Sequence, residues 1–243
     1  MRKAASLESP SSSFREFPKA EDMFGALAHE IVQHLTAGVA RNDKASLVAS
    51  GGTTPGAVFD ILARSAAPWK NIEVTPTDDR WIETTSDRSN EKLIRARLLT
   101  ANAAAANLVP LKTAQSHACD AERDVNAAVA AMHRPFDVVM LGMGTDGHIA
   151  SLIPGAAGLA RAMDRSNPAL VRAVDPPDLA TLGERMTLTL RALLDARWIV
   201  LLIRGDAKRT TYESALAGSD VLELPVRAVL HQSNTPLSIY WSP

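Results

Sequence analysis

The sequence predicts an α/β fold, a mainly parallel sheet flanked by helices on both faces, with room for a small extra lobe. Three observations carry that expectation. Strand-like and helix-like segments alternate from about residue 20 to the end, the pattern of a parallel sheet joined by crossover helices. Phe136 to Leu141 and Trp198 to Ile203 are short, unbroken and apolar, as strands buried on both faces are. Each such strand runs into a polar turn bearing glycine, and open α/β sheets bind ligands at the carboxyl ends of their strands.

The elements follow in order. Met23, Leu27, Ile31 and Leu35 form one helical stripe within Glu21 to Leu35, and Ala45 to Ala49 reads as the first buried strand. Pro55 stands in the first turn of the next helix, where its missing N–H costs nothing. Ile72 to Thr77 is a strand, followed by a polar loop through Asp87 and a helix from Asn90 to Leu99 that Ser89 or Asn90 can cap. Alanine-rich Ala118 to Met132 is helical and leads through Arg134-Pro135 into the strand ending at Leu141.

Residues 155 to 184 are less regular, with Asn167-Pro168 and Asp175-Pro176-Pro177 marking loops. Leu188 to Ala196 reads as helix, Trp198 to Ile203 as strand and Asp206 to Ala217 as helix. Val226 to Leu230 and Leu237 to Trp241 are short segments, read as edge strands or a small lobe. No linker divides the chain, so residues 19–243 read as a single α/β domain. Residues 1–18 read as a flexible leader, because Ser-Pro-Ser-Ser-Ser stands where a signal peptide needs an apolar core.

Composition narrows the classes of partner. The 26 basic and 27 acidic residues are dispersed and nearly cancel, so no global field recruits nucleic acid or an anionic membrane. An anion must therefore be held locally. No apolar run approaches the roughly 20 residues that span a bilayer, and one cysteine, Cys119, forms no internal disulfide, which fits a reducing cytoplasm. No HExxH, paired CxxC or His-carboxylate cluster appears, so neither a metal nor another cofactor is expected.

Two stretches carry chemistry. In Ser50-Gly51-Gly52-Thr53-Thr54-Pro55 a strand meets a helix, and backbone N–H groups, hydroxyls and the helix dipole can converge on phosphate; the pattern is neither a Walker loop nor GxGxxG. In Gly142-Met143-Gly144-Thr145-Asp146-Gly147-His148 the glycines deliver one Asp and one His to a strand's end. Histidine ordinarily titrates near pH 6.5, so its neutral ring can accept a proton in the cytosol. His148 is the best-placed base; His29, His34, His117, His133 and His231 lack such a setting.

Asp78-Asp79-Arg80-Trp81 directly follows a strand, where an acidic pair can orient hydroxyls or a catalytic water, and Arg80 can hold an anion or a developing oxyanion. Arg185, before Met186-Thr187-Leu188-Thr189, and Lys208, in a helix's first turn after Gly205, can complete a phosphate site. Ser50 is not a nucleophile by pattern, since no GxSxG elbow surrounds it.

In this order across residues 45 to 230, these motifs, with Ser89-Asn90 and the continuation Ile149-Ala150-Ser151-Leu152-Ile153-Pro154, resemble the 6-phosphogluconolactonase family. That family is related in fold to the glucosamine-6-phosphate deaminases. The residues after His148 separate the two: the deaminase pattern continues Phe-Asn-Glu-Pro, whereas Ser151-Leu152-Ile153-Pro154 looks like the lactonase pattern with Ile153 in place of Phe. Asp79 departs from the family's usual Asp-Glu-Arg by one methylene.

The resemblance implies a Rossmann-like sheet and hydrolysis of 6-phospho-D-glucono-1,5-lactone to 6-phospho-D-gluconate, the second step of the oxidative pentose phosphate pathway. It implies His148, Arg80, Asp146 and Asp78 as catalytic, and Ser50, Gly51, Gly52, Thr53, Arg185 and Lys208 as binding phosphate and substrate. A phosphosugar lactone is then the partner, with no nucleic acid or membrane, for a monomer or small homo-oligomer. The alternatives are a glucosamine-6-phosphate deaminase or isomerase, and a non-catalytic sugar-phosphate sensor.

Overall fold

The structure, a computed structural model, describes residues 12–243. Seven strands form one parallel sheet: β1 (Ser12–Glu16), β2 (Ala45–Ala49), β3 (Ile72–Pro76), β5 (Asn107–Leu108), β6 (Val138–Gly142), β9 (Ile199–Arg204) and β10 (Leu237–Ser242). Their spatial order is β1-β10-β9-β6-β2-β3-β5. Three more strands, β4 (Asp78–Arg80), β7 (Val171–Val174) and β8 (Arg185–Leu188), form an antiparallel sheet in the order β4-β8-β7.

Alternation along the central strands explains why helices cover both faces. Val138 and Met140 of β6, with Val200 and Leu202 of β9, pack under α1 (Ala20–Asn42) and α2 (Thr53–Leu62). Val139 and Leu141, with Ile199, Leu201 and Ile203, point the opposite way. There they meet α4 (Ala118–Ala130), α7 (Leu190–Leu194), α8 (Asp206–Ala217), α9 (Arg227–Leu230) and the small sheet. Side chains of successive strand residues alternate in direction, so a strand between two helical layers must be apolar throughout. Short helices α3 (Asn90–Leu93), α5 (Leu159–Met163) and α6 (Leu179–Leu182) complete the chain.

Several expectations need correction. The polar stretch after Ile72 to Thr77 is not wholly a loop, because Asp78–Arg80 pairs antiparallel with β8. The helix expected from Asn90 to Leu99 is a helical turn at Asn90–Leu93 continued by a wider π-type turn over Ile94–Leu98. Val226 to Leu230 is helical rather than a strand, and Leu237–Ser242 lies inside the sheet, between β1 and β9.

The expected leader also needs redrawing. Ser12–Glu16 pairs in register with Leu237–Trp241 and forms the sheet's edge, so the folded domain begins before residue 18. The remainder of that leader, residues 1–11, lies outside the described residues. No helix of the described residues is long and apolar enough to cross a membrane.

Candidate active site

The chain leaves β2 toward β3 on one side and later returns to β6 on the other, so β2 and β6 flank the point where strand order reverses. A crevice opens beyond the carboxyl ends of such strands. Here it is a cleft of about 260 Å³. Ser50, Gly51, Gly52, Thr53, Asp78, Arg80, His148, Arg185 and Lys208 all line it, and Asp146 stands beside His148.

The turn after β2 is shaped by its glycines. Gly52 has φ of +108°, open only to glycine at low cost, and a Cβ on Gly51 would lie 1.9 Å from Asn90 Oδ1. Helix α2 starts immediately, and its bond from Gly56 N–H to the Gly52 carbonyl leaves the N–H groups of Thr53 and Thr54 without intrahelical acceptors. Those donors and the helix dipole point the same way, an arrangement that can hold an anion. Ser50 Oγ accepts a hydrogen bond from Gly142 N–H at 3.2 Å, tying the ends of β2 and β6 together.

His148 hangs from the loop after β6. Its Nδ1 lies 2.6 Å from Asp146 Oδ1, which also accepts the His148 backbone N–H at 3.2 Å. Hydrogen bonding to His148 holds the Asp146 carboxyl below its ordinary value, against the opposing effect of burial. An ionised carboxylate only accepts, so the Nδ1 facing it carries a proton, and a ring in its neutral form then has its lone pair at Nε2. Gly144 makes the pairing possible: a Cβ there would sit 2.3 Å from both Asp146 Oδ1 and His148 Nδ1. The imidazole is 36 % exposed, which leaves water access to it.

Three cations face the cleft. Arg80 and Arg185 are directly opposed on the paired strands β4 and β8, and each has a buried Nε with no hydrogen-bond partner. Like charges directly opposed on paired strands repel, so the pair is suited to an anion between or beside them. Burial lowers the Arg185 pKa, and the positive charge of Arg80 lowers it further. Lys208, in the first turn of α8, is held below its ordinary pKa by burial alone, with no carboxylate among the described residues beside it.

The carboxylates after β3 anchor rather than present. Asp78 is buried, accepting from Thr77 Oγ1 at 2.8 Å and from Ser151 Oγ at 2.5 Å, with Arg185 Nη1 at 3.9 Å. Although it lines the cleft, its oxygens are committed to neighbours, which argues against its expected role of orienting a catalytic water. Asp79 accepts the N–H groups of Arg80, Asn90 and Glu91 at 2.7 to 2.8 Å and the Ser89 hydroxyl at 3.1 Å. Burial pushes its carboxyl above the ordinary value, with those three N–H groups pulling the other way. It fastens α3 to β4.

Sequence reasoning missed Ser151 as the hydroxyl that meets Asp78, and Asn90 as a lining residue that accepts from Arg80 Nη1 at 2.8 Å. Ser89 is the cap of α3, its Oγ accepting Lys92 N–H at 3.1 Å. That separates two residues that were interchangeable as caps. Among the described residues, no three His, Cys, Asp or Glu side chains are grouped to hold a metal.

Residues 18–241 match the family described as glucosamine-6-phosphate isomerases/6-phosphogluconolactonase. A 6-phosphogluconolactonase of Caulobacter vibrioides is 42 % identical over 231 residues, covering 93 % of this chain and 95 % of the relative. One from Rhizobium meliloti is 39 % identical over 234 residues, covering 96 % and 100 %. The crystal structure of a 6-phosphogluconolactonase from Shewanella baltica superposes with a TM-score of 0.92 at 37 % identity, covering 96 % of this chain and 98 % of that one. With a match spanning nearly its whole length, the chain belongs to the glucosamine-6-phosphate isomerase/6-phosphogluconolactonase family.

Proposed function

We propose that the protein hydrolyses 6-phospho-D-glucono-1,5-lactone to 6-phospho-D-gluconate, the second step of the oxidative pentose phosphate pathway. The observation that carries this reading is a single one: the Asp146–His148 pair opens onto the same cleft as the glycine turn and the three cations. Relatives at 39 % and 42 % identity named 6-phosphogluconolactonase support it.

In this reading the sugar phosphate rests on the turn from Ser50 to Thr53, with Arg185 and Lys208 balancing its charge. Binding at that remote end orients C1 for attack. Nε2 of His148 takes a proton from water as the oxygen bonds to C1, and the carbonyl oxygen gains negative charge that Arg80 stabilises by hydrogen bonding. When the carbonyl re-forms, the C1–O5 bond breaks and His148 returns the proton to O5. One water is consumed, and the acid ionises in solution.

Asp146 holds the ring in the productive tautomer, while Asp78 positions Ser151 and Arg185 without touching the substrate. The base and the oxyanion donor are both side chains, so the scheme uses no cofactor, and a phosphosugar lactone is the small-molecule partner. We assign the reaction to the cytosol, where an exposed, unpaired thiol such as Cys119 stays reduced. Residues 12–243 act as one catalytic domain.

The test is loss of freshly generated lactone in a coupled assay. Folded protein should accelerate it well beyond spontaneous opening, and an unchanged rate overturns the reading. A parallel incubation with glucosamine 6-phosphate should release no ammonia; release would move the protein to the deaminase side of its family.

A further inference from the structure

Asn90 is nearly fully buried, yet it borders the cleft and meets three of its parts. Its Oδ1 accepts from Arg80 Nη1 at 2.8 Å, and its Nδ2 donates to the Asp78 carbonyl at 2.7 Å. Its amide plane packs against Gly51, with no room for even a Cβ between them. Its own backbone N–H is held by Asp79 Oδ1 at 2.7 Å, so the residue cannot drift along the chain.

The two hydrogen bonds fix the amide's orientation by chemistry. A guanidinium only donates and a carbonyl only accepts, so only the carboxamide facing this way satisfies both. The other anchor of the same guanidinium nitrogen is the Arg88 carbonyl, at 3.0 Å. Both anchors are neutral oxygens. They orient Arg80 without cancelling its charge, as a carboxylate partner would, and leave it whole for an anionic ligand.

We infer that Asn90 is the positioning residue that aims Arg80 at the reacting carbonyl and sets its distance from the glycine turn through contact with Gly51. The inference rests on the proposed lactonase reading, in which Arg80 meets the developing oxyanion. Asn90 itself touches no reacting atom; it acts through Arg80. Misplacing a group by about 1 Å can cost about 10²-fold in rate, so this contact bears on turnover more than on affinity.

A double-mutant cycle tests it, using kcat and KM for freshly generated lactone in the full chain. Asn90→Ala should lower kcat by about 10²-fold with a much smaller change in KM. In an Arg80→Ala background the same substitution should leave kcat within about twofold, because the group it positions is gone. Asn90→Asp gives an isosteric second route if Asn90→Ala does not fold. It replaces the N–H donor to the Asp78 carbonyl with an oxygen, releases the side chain, and should also lower kcat only when Arg80 is present.

Losses that multiply, with Asn90 variants hurting the Arg80→Ala protein as much as the parent, overturn the inference and leave Asn90 a structural residue. An Arg80→Ala protein as active as the parent overturns it through Arg80 instead. A parent that does not accelerate lactone opening removes the lactonase reading and this inference together. The three failures are distinguishable from one another.

Discussion

At the scale of the residue, the reading turns on a histidine whose one nitrogen is occupied and whose other is free. His148→Ala should lower lactone turnover by about 10²- to 10⁴-fold, the usual contribution of a positioned base. Binding of 6-phosphogluconate, measured by calorimetry, should change little, because the phosphate grip is built from other residues. Unaltered turnover would remove His148 from the mechanism. Gly144 offers a subtler probe, since neither member of the pair is changed. Gly144→Ala pushes a methyl group to 2.3 Å from both Asp146 Oδ1 and His148 Nδ1, so one of them must move. Turnover should fall while the fold, read by circular dichroism, persists; turnover equal to the parent's would show that the Asp146 contact does not set the ring.

At the scale of the element, the edge strand β1 is joined to the body by a partly buried polar cluster. Arg15 pairs with Glu30 of α1, and Tyr240 of β10 donates to the same carboxylate at 2.5 Å. Burial raises the Glu30 pKa, but the bonds from Tyr240 and Arg15 outweigh it and hold the carboxyl below its ordinary value. A depressed carboxyl pKa contributes stability that is present above the ordinary value, about 4.3, and is lost as pH falls through the lower folded value. Melting temperatures from pH 7 downward should therefore show an acid limb that Glu30→Gln flattens; an unchanged limb would place its origin elsewhere. Tyr240→Phe should cost about 1 to 3 kcal/mol in urea unfolding, as a hydrogen bond to a charged group does. Sequence alone exposed little of this, because Ser12–Glu16 is polar and largely exposed, and its strand form is dictated by β10 beside it. Asp78–Arg80 was hidden for a related reason: three charged residues make a strand only because β8 pairs their backbone, Asn90 accepts from the Arg80 side chain, and Ser151 and Thr77 donate to the Asp78 carboxylate. By contrast, β2 and α8 were legible to the residue, since the strand stops where Ser50 and Gly51 begin and the helix lies between Gly205 and Gly218. The glycine turn and His148 were legible for the same reason, whereas the aim of Arg80 depends on Asn90 across a chain reversal that no local pattern records.

At the scale of the whole molecule, two apolar clusters on opposite faces of one sheet hold the strands, while the cleft collects groups from β4, β8, α2, α3, α8 and the loops after β2 and β6. A ligand touching all of these joins segments that are far apart in sequence, and it can do so only in the folded chain. Such a ligand stabilises the fold by mass action, by about 2.7 kcal/mol at a hundred times its dissociation constant. For a chain of this size that is about 5 to 10 °C in melting temperature. Saturating 6-phosphogluconate should therefore raise the transition by that amount. The cations and the α2 terminus favour a dianion, so gluconate, which has the same carbon chain without phosphate, should give almost no shift at equal concentration. Lys208→Ala, which removes a half-buried ammonium, should abolish most of the shift and raise KM more than it lowers kcat. Equal shifts with gluconate and 6-phosphogluconate would mean that the phosphate is not the anchor, and the assignment of Ser50 to Thr53, Arg185 and Lys208 as its grip would fall with it.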